Sequence, residues 1–263
     1  MGCVEEFPYQ SPSAFEDSFP DRVARLLDKI DCRLVSSEKE REEIFRLRYR
    51  AYLRDEGILP NPSELFSDAY DDIGNVYLFG LYLDGELASS LRIHVASREH
   101  PEFPTGEVFP EILQPKLDAG SIMIDTTRFV VDEKLARLHR VLPYATLRLS
   151  GMAAHQFHAD YLLAAVRVEH QAFYRRVFRY ELVGAPRPYP MLAKPICLMM
   201  VNYPAFVEQV HRRYPFFRST FVERRLLFER PSANSAPAAS RGSPDSPGTA
   251  PPLADLDASY AAE

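Results

Sequence analysis

The stretch IDTTRFVV (124–131) has the β-branched and aromatic make-up of a strand, yet it carries an acid and a guanidinium, Asp125 and Arg128. A carboxylate among β-branched neighbours holds its proton more tightly than usual unless it is paired, and such a group suits a general base. Strand parity puts Met123, Asp125, Thr127 and Phe129 on one face, and Ile124, Arg128 and Val130 on the other. A regular strand therefore keeps Asp125 and Arg128 from a common ligand. A bulge at Thr126-Thr127 would bring them together.

Two further arginines stand on faces that should be apolar. Arg48 shares a helical face with Ile44, Leu47 and Ala51. In LASSLRIHV, Leu87, Ser89, Leu91, Ile93 and Val95 lie on one side of a strand, with Ala88, Ser90, Arg92 and His94 on the other. A buried guanidinium requires an acidic partner or an anionic ligand. The alternatives are an arginine that snorkels past the core edge and a sheet face open to solvent. Between the two elements runs FSDAYDDIGN, where Asp68, Asp71 and Asp72 form either a solvated acidic turn or the carboxylates that both arginines need.

These residues need a scaffold, and the hydrophobic pattern supplies one. DRVARLLDKI (21–30) reads as a short helix, CRLV (32–35) as a strand, and 37–54 as a charged amphipathic helix capped by Ser36 or Ser37. VYLFGLYLDGELASSLRIHV (76–95) is a hairpin turning at Asp84-Gly85. A proline-bearing loop (98–120) leads to the strand that holds Asp125. Helices over 143–158, 169–179 and 204–214 then alternate with strands over 161–168 and 196–203. That order describes a mixed α/β sheet with helices on both faces.

Three regions follow: an irregular arm with a short helix (1–30), one main domain (31–230), and an Ala/Pro/Ser-rich tail (231–263) expected to be disordered. Cys3, Cys32 and Cys197 are too few and too scattered for a disulfide framework or a zinc site. No apolar run approaches a membrane span, and no signal h-region opens the chain, so a reduced, cytoplasmic, soluble protein is expected. The net charge is −6, half of it in the tail, and the near balance of the body argues against general nucleic-acid binding.

LRYRAYLRDEGI, FSDAYDD, SSLRIHV and IDTTRFVV, in that order, resemble successive motifs of the long-chain N-acyl amino acid synthases and, more remotely, of the acyl-homoserine-lactone synthases. VEHQAFYRRVFRYELVGAPRPYPMLAKPICLMMVNY resembles the C-terminal half of the former, so the likeness spans about residues 32–210. It implies a GNAT-like fold of the mixed α+β class. It also implies transfer of a fatty acyl group from acyl carrier protein to the α-amine of an amino acid, with no bound cofactor and the carrier's phosphopantetheine as donor arm. Arg48, Asp68, Asp71, Arg92 and Arg128 fall on the motifs around the acceptor pocket, and Asp125 on the base. Lactone synthases commonly have Glu at that last place, and the shorter acid needs a water to reach an amine.

In the acetyltransferase pattern a tyrosine at the position of Tyr174 protonates the departing thiolate, and His170 lies one helical turn before it. The rival role for Tyr174 is packing the helix onto the sheet with Phe173 and Phe178. Acyl-CoA-using relatives follow the Asp125 strand with a glycine-rich pyrophosphate turn. Residues 132–142 have no glycine but carry Lys134, Arg137, His139 and Arg140, which suits docking of an acidic carrier; otherwise they are a solvated basic loop. HQFHAD (155–160) satisfies H-x4-D only by accident of spacing. The alternatives to amide synthesis are a lactone-type synthase using S-adenosylmethionine and a catalytically silent acyl-carrier or lipid-binding module.

Overall fold

In the computed structural model, which describes residues 18–189 and 191–229, the alternating segments form the antiparallel strands β2 (Val76–Leu83) and β3 (Glu86–Ala96). Asp84 and Gly85 turn the hairpin with φ of 51° and 85°, the left-handed pair that matches strand twist. Around this hairpin a seven-stranded sheet is built in the order β1-β2-β3-β4-β5-β7-β6. Its other members are β1 (Ile30–Leu34), β4 (Met123–Val131), β5 (Tyr161–Val166), β6 (Glu181–Arg187) and β7 (Ile196–Asn202). All neighbours are antiparallel except β4 and β5, which run parallel.

Helices cover both faces. On one lie α1 (Phe19–Leu27), α6 (Leu142–Gln156), α7 (Gln171–Phe178), α8 (Tyr203–Arg213) and α9 (Phe221–Phe228). They close the largest core over Leu91, Ile93, Ile124 and Leu162. On the other lie α2 (Glu38–Arg54), α3 (Pro104–Val108) and α4 (Pro110–Asp118). There Phe109, Leu113 and Leu117 meet Met123, Leu163 and Leu198, and Ile44 and Phe45 meet Leu78. A short helix, α5 (Glu133–Leu138), follows β4.

Ser37 caps α2 in a reciprocal box with Glu40. Ser18 does the same for α1 with Asp21, so that helix spans Phe19–Leu27 rather than 21–30. The segment 98–120 is not simply a loop: Pro104 and Pro110 sit in the first turns of α3 and α4, where a missing N–H costs nothing. The basic stretch after β4 is likewise helical in part, with Asp132 accepting from the N–H of Leu135 as its cap. β6 and α9 had no clear periodicity in the sequence. The arm before residue 18 and the tail from 230 onward lie outside the described residues. Among the described residues no helix is long and apolar enough to cross a membrane.

Candidate active site

Capping fixes the register of α2, and its inward face carries Arg48, fully buried beside Ile44, Leu47 and Ala51. Its Nη1 donates to both carboxylate oxygens of Asp71, at 2.8 and 3.0 Å. Asp71 closes a single 3-10 turn, Ala69–Asp71, and accepts from the N–H of Asp68, whose own side chain accepts from the N–H of Tyr70. The acidic loop is thus tied into one shape before it meets any arginine. Asp72 faces outward and pairs with Arg41.

Asp68 collects the other two guanidinium groups. Arg92 reaches its Oδ1 at 2.5 Å, Asp71 at 3.1 Å and the hydroxyl of Thr127 at 3.0 Å. Arg128 Nη2 reaches the other Asp68 oxygen at 2.6 Å. Parity alone would turn Arg128 to the opposite face. The strand instead bulges one place later than Thr126-Thr127: Ser90 pairs with Val130 and Arg92 with Thr127, leaving Arg128 and Phe129 opposite Leu91. Arg128 takes the left-handed conformation there, φ 52°, and its side chain joins the Asp68 face. Phe66, Tyr52 and Tyr189 surround its guanidinium, the Phe66 ring centre at 4.3 Å.

The electrostatics follow from this crowding. Burial alone would raise Asp68 and Asp71, but Arg92 and Arg128 hold Asp68 well below the carboxylate range, and Arg48 and Arg92 lower Asp71. Arg48 is pushed down to about 10 by burial and by its two arginine neighbours. Arg48 Nε and Nη2, His94 Nδ1 and the Tyr189 hydroxyl are buried and make no hydrogen bond. Three guanidinium groups face two carboxylates, and the spare donors, those of Arg48, are sealed inside the cluster, whereas Arg128 reaches its edge. His94 stays neutral: burial first, then Arg92, push its pKa down to about 3.

Asp125 is fully buried and does not touch Arg128. Both its oxygens are taken by Thr105 at the start of α3: the hydroxyl donates to Oδ1 at 2.7 Å and the N–H to Oδ2 at 3.2 Å. Burial lifts its pKa from 3.8 to about 6, against the pull of Thr105 and Arg92. The raised proton affinity expected from the strand composition is therefore present, although the carboxylate is not unpaired. Thr105 was hidden in a stretch with no periodicity, and the aromatic cage of Arg128 came from three separate segments.

β4 pairs with β5 only from Met123 to Thr126, while its pairing with β3 runs on to Val131. Where β4 and β5 part, a cleft of about 810 Å³ opens, walled by Thr126–Val131 on one side and by Val166, Phe173 and Tyr174 on the other. Tyr174 also borders a narrow apolar hole of about 40 Å³ that runs on past Leu147, Leu162 and Phe206. Its ring packs edge-on against Phe173 and Tyr180, and burial pushes its hydroxyl well above the ordinary range, so it is a neutral group that holds its proton. The packing considered for Tyr174, with Phe173 and Phe178, is present.

At the mouth stand Arg54, Arg137, Arg140, Arg167, His170 and Lys194. His170 is exposed, lies 2.8 Å from Arg167 and is pushed down by partial burial and by that arginine. Arg137 pairs with Glu133 on its own helix, and Lys134 is exposed on the same helix but does not line the cleft. All of the predicted residues but Asp125 and Lys134 thus fall into two groups. Arg48, Asp68, Asp71, Arg92 and Arg128 form one buried network, with only Arg128 reaching the cleft, whereas Tyr174, His170, Arg137 and Arg140 line the cleft itself. Asp160 of the H-x4-D stretch accepts from the N–H of Ile122, tying together the starts of β4 and β5. Among the described residues no group of three His, Cys, Asp or Glu side chains is placed to hold a metal.

No curated protein matches the chain. Among solved structures, FeeM, an N-acyl amino acid synthase from uncultured soil microbes, is similar with 17% identity and a TM-score of 0.56, covering 68% of this chain and 94% of that one. A CoA-dependent acyl-homoserine lactone synthase, BjaI, with MTA, gives 14%, 0.52, 71% and 90% in the same order. The AHL synthase LasI gives 16%, 0.50, 65% and 88%. At such identities the likeness establishes the fold alone, a mixed sheet with helices on both faces. The sequence model described as N-acyl amino acid synthase FeeM matches residues 43–202, the span that holds Arg48, the acidic turn, Asp125 and the whole cleft wall, and the chain belongs to that family.

Proposed function

We propose that this N-acyltransferase moves a long-chain fatty acyl group from the phosphopantetheine thioester of acyl carrier protein to the α-amine of an amino acid. The observation that carries the reading is the cleft at the parting of β4 and β5, apolar within and basic at its mouth, beside a buried arginine cluster that reaches it through Arg128. An extended thioester enters along β4, whose N–H groups beyond Thr126 lack a β5 partner and can polarise the carbonyl oxygen. The acyl chain lies against the apolar wall near Tyr174.

The acceptor carboxylate is drawn to the arginine cluster through Arg128, the one member that reaches the cleft. The amine then attacks the thioester carbon as the C–S bond breaks. Asp125 takes the amine proton through a water, because Thr126 and Thr127 stand between it and the cleft, and Tyr174 gives a proton to the thiolate. Thr126 and Thr127 line the cleft while Asp125 does not, which is why the relay is required.

The test is to incubate the purified protein with a mixture of amino acids and either long-chain acyl carrier protein or the equivalent acyl-CoA, and to read products by mass spectrometry. N-acyl amino acids from the carrier arm are expected. BjaI and MesI, both lactone synthases of like fold, are CoA-dependent, so equal product from acyl-CoA overturns the donor assignment. A parallel arm with S-adenosylmethionine that alone gives an acyl lactone overturns the acceptor assignment. No product in any arm leaves the silent binding module as the better reading.

A further inference from the structure

Asp125 sits on β4 opposite His94 of β3 and beside Leu163 of β5, so the sheet offers it one basic neighbour held neutral by burial and one apolar one. His94 is neutral throughout the working range, with its pKa near 3, and Tyr189 nearby is pushed upward by burial. Arg92 supplies a constant positive charge that favours the ionised carboxylate. The direct contacts come from elsewhere. Thr105, fully buried at the second position of α3, spends both its hydroxyl and its N–H on the two carboxylate oxygens.

The turn that delivers Thr105 is built for close approach. Phe103 precedes α3 in an extended conformation, and a Cβ at Gly106 would meet the Phe103 ring at 2.7 Å. Phe109 anchors the far end of α3 among Leu113, Met123 and Leu198. α3 is too short to be stable by itself, so its position is set by these aromatic contacts and by Asp125.

We propose that Thr105 is a positioning residue for acyl transfer: it fixes the orientation of the Asp125 carboxylate and keeps it ionised at neutral pH. The proposal rests on the reading of Asp125 as the base. The physical reason is that donors to a carboxylate stabilise its charged form, and a hydrogen bond to a charged group is strong enough to move a titration by about one pH unit. Burial without Thr105 would leave a larger share of Asp125 protonated near neutral pH, when an amine needs its proton removed.

Thr105→Val keeps the shape and the N–H but removes the hydroxyl, and Thr105→Ser restores the hydroxyl. The pH profile of kcat/KM from 5 to 9 should show the acid limb of Thr105→Val moved up by about one unit. Activity is then about fivefold lower near pH 6, about tenfold lower at pH 5 and close to wild type at pH 9, with Thr105→Ser at wild-type values. An equal loss at every pH, or a serine variant that behaves like valine, overturns the proposal.

A second readout does not depend on catalysis. The upper end of the pH window in which urea stability falls should move upward in Thr105→Val while its lower end stays near the ordinary carboxylate pKa, and the window should vanish in Thr105→Val/Asp125→Asn. Should Asp125→Asn turn over like wild type, the base assignment fails, and the stability window alone then decides whether Thr105 governs the charge of Asp125. A window unchanged by Thr105→Val ends the proposal under either outcome.

Discussion

Asp125 and Asp71 are both buried carboxylates, but their charges affect stability with opposite signs. The folded-state pKa of Asp125 is about 6 against an ordinary 3.8, so between those values the folded protein holds the proton that the unfolded chain has released. Stability from this group therefore falls as pH rises from about 4 to 6, and the full cost stands above that window. Asp68 and Asp71 are depressed instead, so their contribution is complete above the ordinary carboxylate pKa and is lost as pH falls below it. Urea midpoints measured from pH 3 to 8 should pass through a maximum, and Asp125→Asn should abolish the decline on its alkaline side. The same substitution should lower turnover by about 10²-fold or more while leaving donor binding in place, as read from single-turnover and binding assays. Wild-type turnover would remove Asp125 from the mechanism. Asp71→Ala is the harsher change: Arg48 and Asp71 are both fully buried, and stripping Arg48 of its partner should cost about 3–5 kcal/mol in chemical denaturation.

At the scale of the element, the bulge in β4 decides which side chains meet. Residue 128 is held at φ 52°. In a regular strand glycine is less stable than alanine, but at this φ the preference reverses, because a Cβ is strained in the left-handed region. Arg128→Gly should therefore be more stable than Arg128→Ala by about 1 kcal/mol, although both lose the contact to Asp68. Alanine as the more stable of the two would mean that the strand runs regular in solution. Sequence parity anticipated that Asp125 and Arg128 could meet only through an irregularity, but it could not place the bulge. The place depends on Asp68 and the Phe66, Tyr52 and Tyr189 rings, which are remote in the chain and pull Arg128 to their side. The hairpin and α2 were legible because Asp84-Gly85 and Ser37 with Glu40 carry their geometry locally. α3 was not, since five residues are too few to show a period. β6 was not either, as its burial alternates poorly and Pro186 interrupts its pairing with β7. The network of three arginines and two aspartates could be anticipated because buried charge demands a partner, whereas Thr105, an uncharged residue, carried no such demand.

At the scale of the molecule, the distribution of charge bears on donor choice. The chain is acidic, at −6, so a basic area must be local to attract an acidic carrier. Basic residues gather at the cleft mouth, but most are matched: Arg137 by Glu133, Arg167 by Asp55 and Glu169, and Lys194 by Glu56. Arg140 lines the cleft with no acid paired to it among the described residues, and Leu138, 66% exposed, stands two places before it. An unmatched cation beside an apolar side chain is the arrangement most useful for docking a partner that brings both acid and an apolar surface. Arg140→Glu should therefore raise the KM for acyl carrier protein more than Arg137→Glu does, since each reversal changes the charge by two units but Arg137 is already engaged by Glu133 and is less free to contact a partner. The KM for the amino acid should not move in either variant. Raising salt from about 0.05 to 0.5 M should weaken carrier use by the wild-type enzyme and have less effect on Arg140→Glu, because the screened attraction is then already lost. Equal effects of the two reversals, or no dependence on salt, would place carrier recognition away from α5 and the Arg140 turn.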